Sequence, residues 1–85
     1  MARWTTALAG IDAVATALTV PVDQASLIAV DDLIKVARTG EVLRVTGISS
    51  NTLTVGRGYG ETVGVAIVAN DKLLVIGNAI MQGGG

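Results

Sequence analysis

The sequence contains no cysteine, no histidine and no phenylalanine, and its only aromatic side chains are Trp4 and Tyr59. Without cysteine, disulfide stapling is excluded and the redox compartment leaves no mark. With neither Cys nor His, the common soft-metal sites are absent and a nucleophilic serine lacks its usual base. Ser26, Ser49 and Ser50 remain, with Lys35 and Lys72 as formal partners, but no spacing joins them into a dyad. Charge is also scarce. Charged residues make up 15% of the chain, and its net charge is −1. No basic field exists to draw nucleic acid or an anionic membrane. No run approaches the roughly 18–20 consecutive apolar residues that span a bilayer. The N-terminus lacks the continuous apolar stretch of a signal peptide.

What is present is aliphatic. Hydrophobic residues reach 51% of 85, so Ala, Val, Leu and Ile must fill the interior without the larger area that aromatic rings bury. A single domain of this size buries only about 60–65% of its unfolded surface. Disulfides, metals or oligomerisation usually supplement such small cores. With the first excluded, association with a partner is the expected supplement, consistent with the positive mean hydropathy and the apolar surface it implies.

Residues 1–14 read as an N-terminal arm or linker with Trp4 as its anchor, residues 15–79 as the folded unit, and residues 80–85 as a flexible Gly-rich tail, either a linker or a cloning scar. Ala15 to Val20 alternates at period 2 and stops at Pro21, which marks an edge or an end. Asp23 to Ile28 reads as a turn with a short irregular or 3₁₀ segment. Asp31-Asp32 reads as a tight turn, since Asp tolerates the left-handed conformation. Leu33–Arg38 and Glu41–Ile48 form a hairpin around Thr39-Gly40, and Thr52–Val55 follows a second turn at Ser49-Ser50-Asn51. Val63, Val65 and Ile67 alternate as one face of a further strand, unless Glu61 to Val68 is partly loop. Lys72 to Ile76 is apolar on both faces and so is expected to be central. The pattern gives an all-β fold: a small barrel or sandwich of about six short, mostly antiparallel strands.

Two clusters invite a chemical reading. Asp31-Asp32, with Glu61 and Asp71, offers carboxylates for Ca²⁺ or acid–base work. Neighbours in an extended segment point to opposite faces, however, and no calcium-loop spacing is present, so the expectation is turn chemistry. Gly56-Arg57-Gly58-Tyr59-Gly60 superficially resembles a phosphate-cradling loop, but the Gly-Lys-Ser/Thr that opens a Walker helix is missing. Glycines there permit a sharp bend, and Arg57 and Tyr59 are expected to make lateral contacts. The candidate interface residues are Trp4, Arg57, Gly58, Tyr59 and Gly60, with Arg57→Ala expected to weaken assembly more than folding. No catalytic residue, metal, cofactor or small-molecule substrate is assigned.

Several stretches taken in order carry a family resemblance. They are Leu18-Thr19-Val20; Asp32-Leu33-Ile34-Lys35-Val36 followed by Thr39-Gly40-Glu41-Val42-Leu43-Arg44-Val45; Asn51 through Thr62 with its Arg57-Gly58-Tyr59-Gly60; and Ala69 to Leu73 with Ile76-Gly77-Asn78-Ala79. Together with Arg3-Trp4 they resemble a segment of tailed-phage major capsid proteins of the SU10-like group, which use the HK97-type shell architecture. Asp31 and Asn70 stand where the family tends to have Gly, and Met81-Gln82 replaces an acidic pair. Nothing matches the family's long spine helix, extended arm or axial domain. The resemblance therefore implies an excised domain or a small stand-alone virion protein, located in the capsid and assembled in the bacterial cytoplasm. Its partners would be further copies or other capsid subunits, not membrane or nucleic acid. The alternative is an SH3-like barrel of the KOW type binding nucleic acid or protein, which the Asp32–Val36 and Gly40–Val45 pattern also resembles, although the basic surface of that type is missing.

Overall fold

The computed structural model describes residues 3–78. Six strands form one antiparallel sheet: β1 (Arg3–Thr6), β2 (Ala17–Thr19), β3 (Asp32–Val36), β4 (Val42–Ser49), β5 (Thr52–Gly56) and β6 (Lys72–Asn78). Their spatial order is β1-β6-β3-β4-β5-β2. The sheet curls into a half-barrel. Its edges come close enough for the Leu8 amide to donate to the Thr19 carbonyl at 2.9 Å. Register breaks at Leu33/Ile34 and at Val45/Gly47 sharpen the curl, as bulges do.

The core follows from alternation along the strands. Leu18, Ile34, Val36, Leu43, Val45, Leu53, Val55, Leu73 and Val75 all point inward and are buried. Ala7, Val20, Ala25, Ile28 and Ile67 complete the same cluster. β6 pairs with β1 on one side and β3 on the other, an interior place in the sheet; Leu73 and Val75 on its inner face are buried, while Leu74 and Ile76 on its outer face are partly exposed. Left-handed backbone at Asp31 (φ 77°) and Asn70 (φ 75°) fits the tolerance of these residue types and needs no glycine.

Two readings of the sequence are corrected, and one left open is decided. Residues 3–6 are an edge strand of the sheet, with Trp4 opposite Leu74, and not an arm outside it. Asp23 to Ile28 begins within a single α-turn, α1 (Val22–Ala25). This turn packs at the seam between β1 and β2, where the Thr5 hydroxyl meets the Gln24 side chain. Of the two readings left open for Glu61 to Val68 the loop holds: residues 63–66 form no strand, and Ile67 makes an isolated bridge, to Ile11. Ala79 and the Gly-rich tail expected at residues 80–85 lie outside the described residues.

With an all-aliphatic core, truncating its centre is expected to be costly. Leu43→Ala should lower the unfolding free energy by about 2–5 kcal/mol. Lys35→Ala, on the exposed outer face, should change it by no more than about 0.5 kcal/mol. Urea titrations of the two variants check the contrast.

Candidate functional site

The most constrained part of the molecule is not a cleft but an ion pair. Glu41 precedes β4, and Arg57 follows β5. The Glu41 side chain is 0% exposed and that of Arg57 is 9% exposed. Burying two charges is costly unless every polar atom is satisfied, and here every one is. Arg57 Nε donates to Glu41 Oε2 at 2.8 Å, and Nη2 to Oε1 at 3.0 Å. Nη2 also donates to the Val65 carbonyl at 2.8 Å. Nη1 donates to the carbonyls of Asp12 at 2.7 Å and Ala15 at 2.6 Å. All of the guanidinium's donors are thus engaged. The carboxylate is equally full: besides Arg57, Oε2 accepts from the Gly58 amide and Oε1 from the Val65 amide, each at 3.0 Å.

This geometry explains the Gly-rich loop. The Gly58 and Val65 amides and the guanidinium converge on one oxyanion, as in a phosphate cradle, but the anion is the chain's own Glu41. Gly58 has φ +60°, and a Cβ there would sit 2.8 Å from the Thr62 carbonyl oxygen. At Gly64 a Cβ would sit 2.6 Å from the Ala13 carbonyl oxygen. Only glycine lets these two loops approach so closely.

Two further arginines work the same way nearer the surface. Arg38 grips Asp71 through Nε at 2.9 Å and Nη2 at 2.8 Å, and Nη2 also donates to the Ala66 carbonyl at 2.9 Å. Asp71 in turn accepts the Val68 amide at 2.8 Å. Arg44 donates to Asp31 through Nη2 at 2.7 Å and lies over the Tyr59 ring, 5.9 Å from its centroid. Asp32 accepts the Ala29 amide at 2.9 Å, so the adjacent aspartates have separate local tasks. Among the described residues, no group of three or more His, Cys, Asp or Glu side chains could hold a metal. Nor is any helix among them long and apolar enough to cross a membrane.

The expected interface residues fall in different places. Arg57 points inward and leaves no N–H for a partner, so its expected lateral contact is replaced by an internal one. Gly58 is part of the same clamp. Tyr59 and Gly60 are exposed in the turn beyond it. Trp4 is 58% exposed at the far edge of the sheet, where it lines a cleft with Thr5, Gln24, Leu27, Ile28 and Val75. Sequence reasoning missed Glu41 altogether. The available signal was a lone acid directly ahead of an apolar strand, together with a lone arginine enclosed by glycines.

Burial pushes the Glu41 carboxyl up, but hydrogen bonds from Arg57 and from the Val65 and Gly58 amides outweigh it, leaving the pKa below the ordinary 4.5. The Arg38 hydrogen bonds hold Asp71 below its ordinary 3.8. Groups depressed in this way stabilise the fold fully above their unfolded pKa, and that stability is lost as pH falls through the folded values. Urea midpoints should therefore be flat above about pH 5 and fall on further acidification, with a shallower fall in Glu41→Gln. At neutral pH, Glu41→Gln and Arg57→Met should each cost about 3–5 kcal/mol, because each strands a buried partner. The double variant should cost less than the sum of the two, as a double-mutant cycle would show. No protein-family profile matches the sequence, and no curated protein matches it either.

Proposed function

We propose that the chain is a structural module of a phage virion, related to a β-domain of major capsid proteins, that acts by packing against further copies or other capsid subunits. The observation that carries this reading is where the apolar surface lies. Trp4, Val22 and Leu27 are exposed around the seam between β1 and β2, and Val14 (80%) and Val63 (74%) are exposed on the loops at the Glu41–Arg57 clamp. Exposed large apolar side chains at these two places on a small domain favour association. The internally paired arginines serve rigidity, which a repeated building unit needs. The family resemblance of Asp32–Val45 and Asn51–Thr62 points the same way. An SH3-like, nucleic-acid-binding barrel is the second reading; its arginines would have to face outward, and here Arg38, Arg44 and Arg57 are held by carboxylates.

Sedimentation velocity across a wide concentration range tests the proposal. Self-association that survives moderate salt is expected. Trp4→Ser should weaken it about tenfold or more while changing the urea midpoint little. A monomer at every concentration, both alone and mixed with capsid protein, would count against the virion reading. Steeply salt-dependent binding of nucleic acid would favour the barrel alternative.

A further inference from the structure

The loops at the clamp differ from the rest of the molecule in how they are held. Main-chain bonds define their limits. Ile11 and Ile67 exchange hydrogen bonds at 2.8 and 2.9 Å, and the Val55 amide donates to the Thr16 carbonyl at 2.9 Å. Between these limits the attachments to the sheet run through side chains. Arg57 holds the Asp12, Ala15 and Val65 carbonyls, and Glu41 holds the Gly58 and Val65 amides. Thr62 Oγ1 accepts the Val42 amide at 3.0 Å. Asp12 closes its own turn by accepting the amides of Val14 and Ala15. Little apolar packing supports this region, since Val14 and Val63 face solvent. Beyond it, Arg38 and Asp71 pin Ala66 and Val68 independently.

We propose that residues 12–15 and 58–65 form one flap that opens as a unit, with Glu41–Arg57 as its latch and the Arg38–Asp71 pair fixing its hinge. Both segments are held by one guanidinium, Nη1 on the Asp12 and Ala15 carbonyls and Nη2 on that of Val65, so displacing Arg57 releases both. When the latch parts, the two buried charges become hydrated and residues 58–65 swing free as an arm bearing Val63 and Val65. The sheet keeps its ladders, and its core remains closed by Ile67. The flap is thus a sub-global opening unit in the sense revealed by native-state hydrogen exchange; its stability resides chiefly in this polar network, and the Thr62–Val42 hydrogen bond and the Arg44–Tyr59 contact break with it.

Hydrogen exchange of the full chain, followed residue by residue by NMR at rising sub-denaturing urea, tests this. In the wild type, the amides of Val14, Ala15, Gly58 and Val65 should share one opening equilibrium, more open than that of the Leu43, Val55 and Leu73 amides. In Glu41→Gln the four flap amides should accelerate together by about 100-fold or more and remain more open than the sheet amides, whose global opening loses the same pair. In Arg38→Met, Val68 should accelerate more than Gly58 and Val65. Different opening equilibria for Ala15 and Val65 in the wild type would overturn the proposal, as would flap amides opening only with the sheet. Unequal acceleration of Ala15 and Val65 in Glu41→Gln would overturn it too. The wild-type measurement decides the matter even if Glu41→Gln does not fold.

Discussion

A carboxylate and a guanidinium removed from water have no stable arrangement other than full mutual satisfaction, and that requirement shapes one end of this molecule. Glu41 sits at the start of a strand, Arg57 at the end of another, and the loops they collect come from two distant parts of the chain. Each loop is placed because it brings a carbonyl or an amide to an unfilled position on the pair. Replacing the pair with matched apolar groups would save the desolvation cost, but nothing apolar could then gather Asp12, Ala15, Gly58 and Val65 around one point. The ion pair supplies geometry more than net stability.

The pattern repeats at lower intensity. Arg38 ties Asp71 and Ala66 to the β3–β4 hairpin, and Arg44 ties Asp31 to β4 while lying over the ring of Tyr59. In each case a planar donor fork, from the β3–β4 turn at Arg38 and from β4 at Arg44, captures a carboxylate outside the strands. A core made only of Ala, Val, Leu and Ile packs the sheet well, but it offers nothing directional with which to fix loops. The arginines provide that direction. This division of labour between aliphatic sheet and arginine-held loops accounts for most of the fold.

The sheet was legible because its signal is local. Leu43 with Val45 and Leu53 with Val55 alternate on strands joined by short turns, so period and turn chemistry agree. β1 was illegible for the opposite reason: Arg3 to Thr6 is too short to show a period, and its partner β6 lies about 70 residues away in sequence. Val63 to Ile67 alternates convincingly yet makes no ladder, because the amide and carbonyl of Val65 are taken by Glu41 and Arg57. Arg57 itself misled by composition. A charged residue between glycines normally lies in solvent, and only the three-dimensional return of Glu41 reverses that expectation.

The pairing of β1 with β6 has a consequence for how such a module can be joined to other chains. Arg3 lies opposite Val75, and because the strands are antiparallel, the chain enters and leaves the sheet at the same corner. A unit with adjacent entry and exit points can be spliced into a surface loop of a larger host without stretching either. By the same geometry, a short linker at this corner could join Asn78 to Arg3, with the chain cut instead at the exposed Ser49-Ser50, giving a circular permutant of residues 3–78 with an unchanged core.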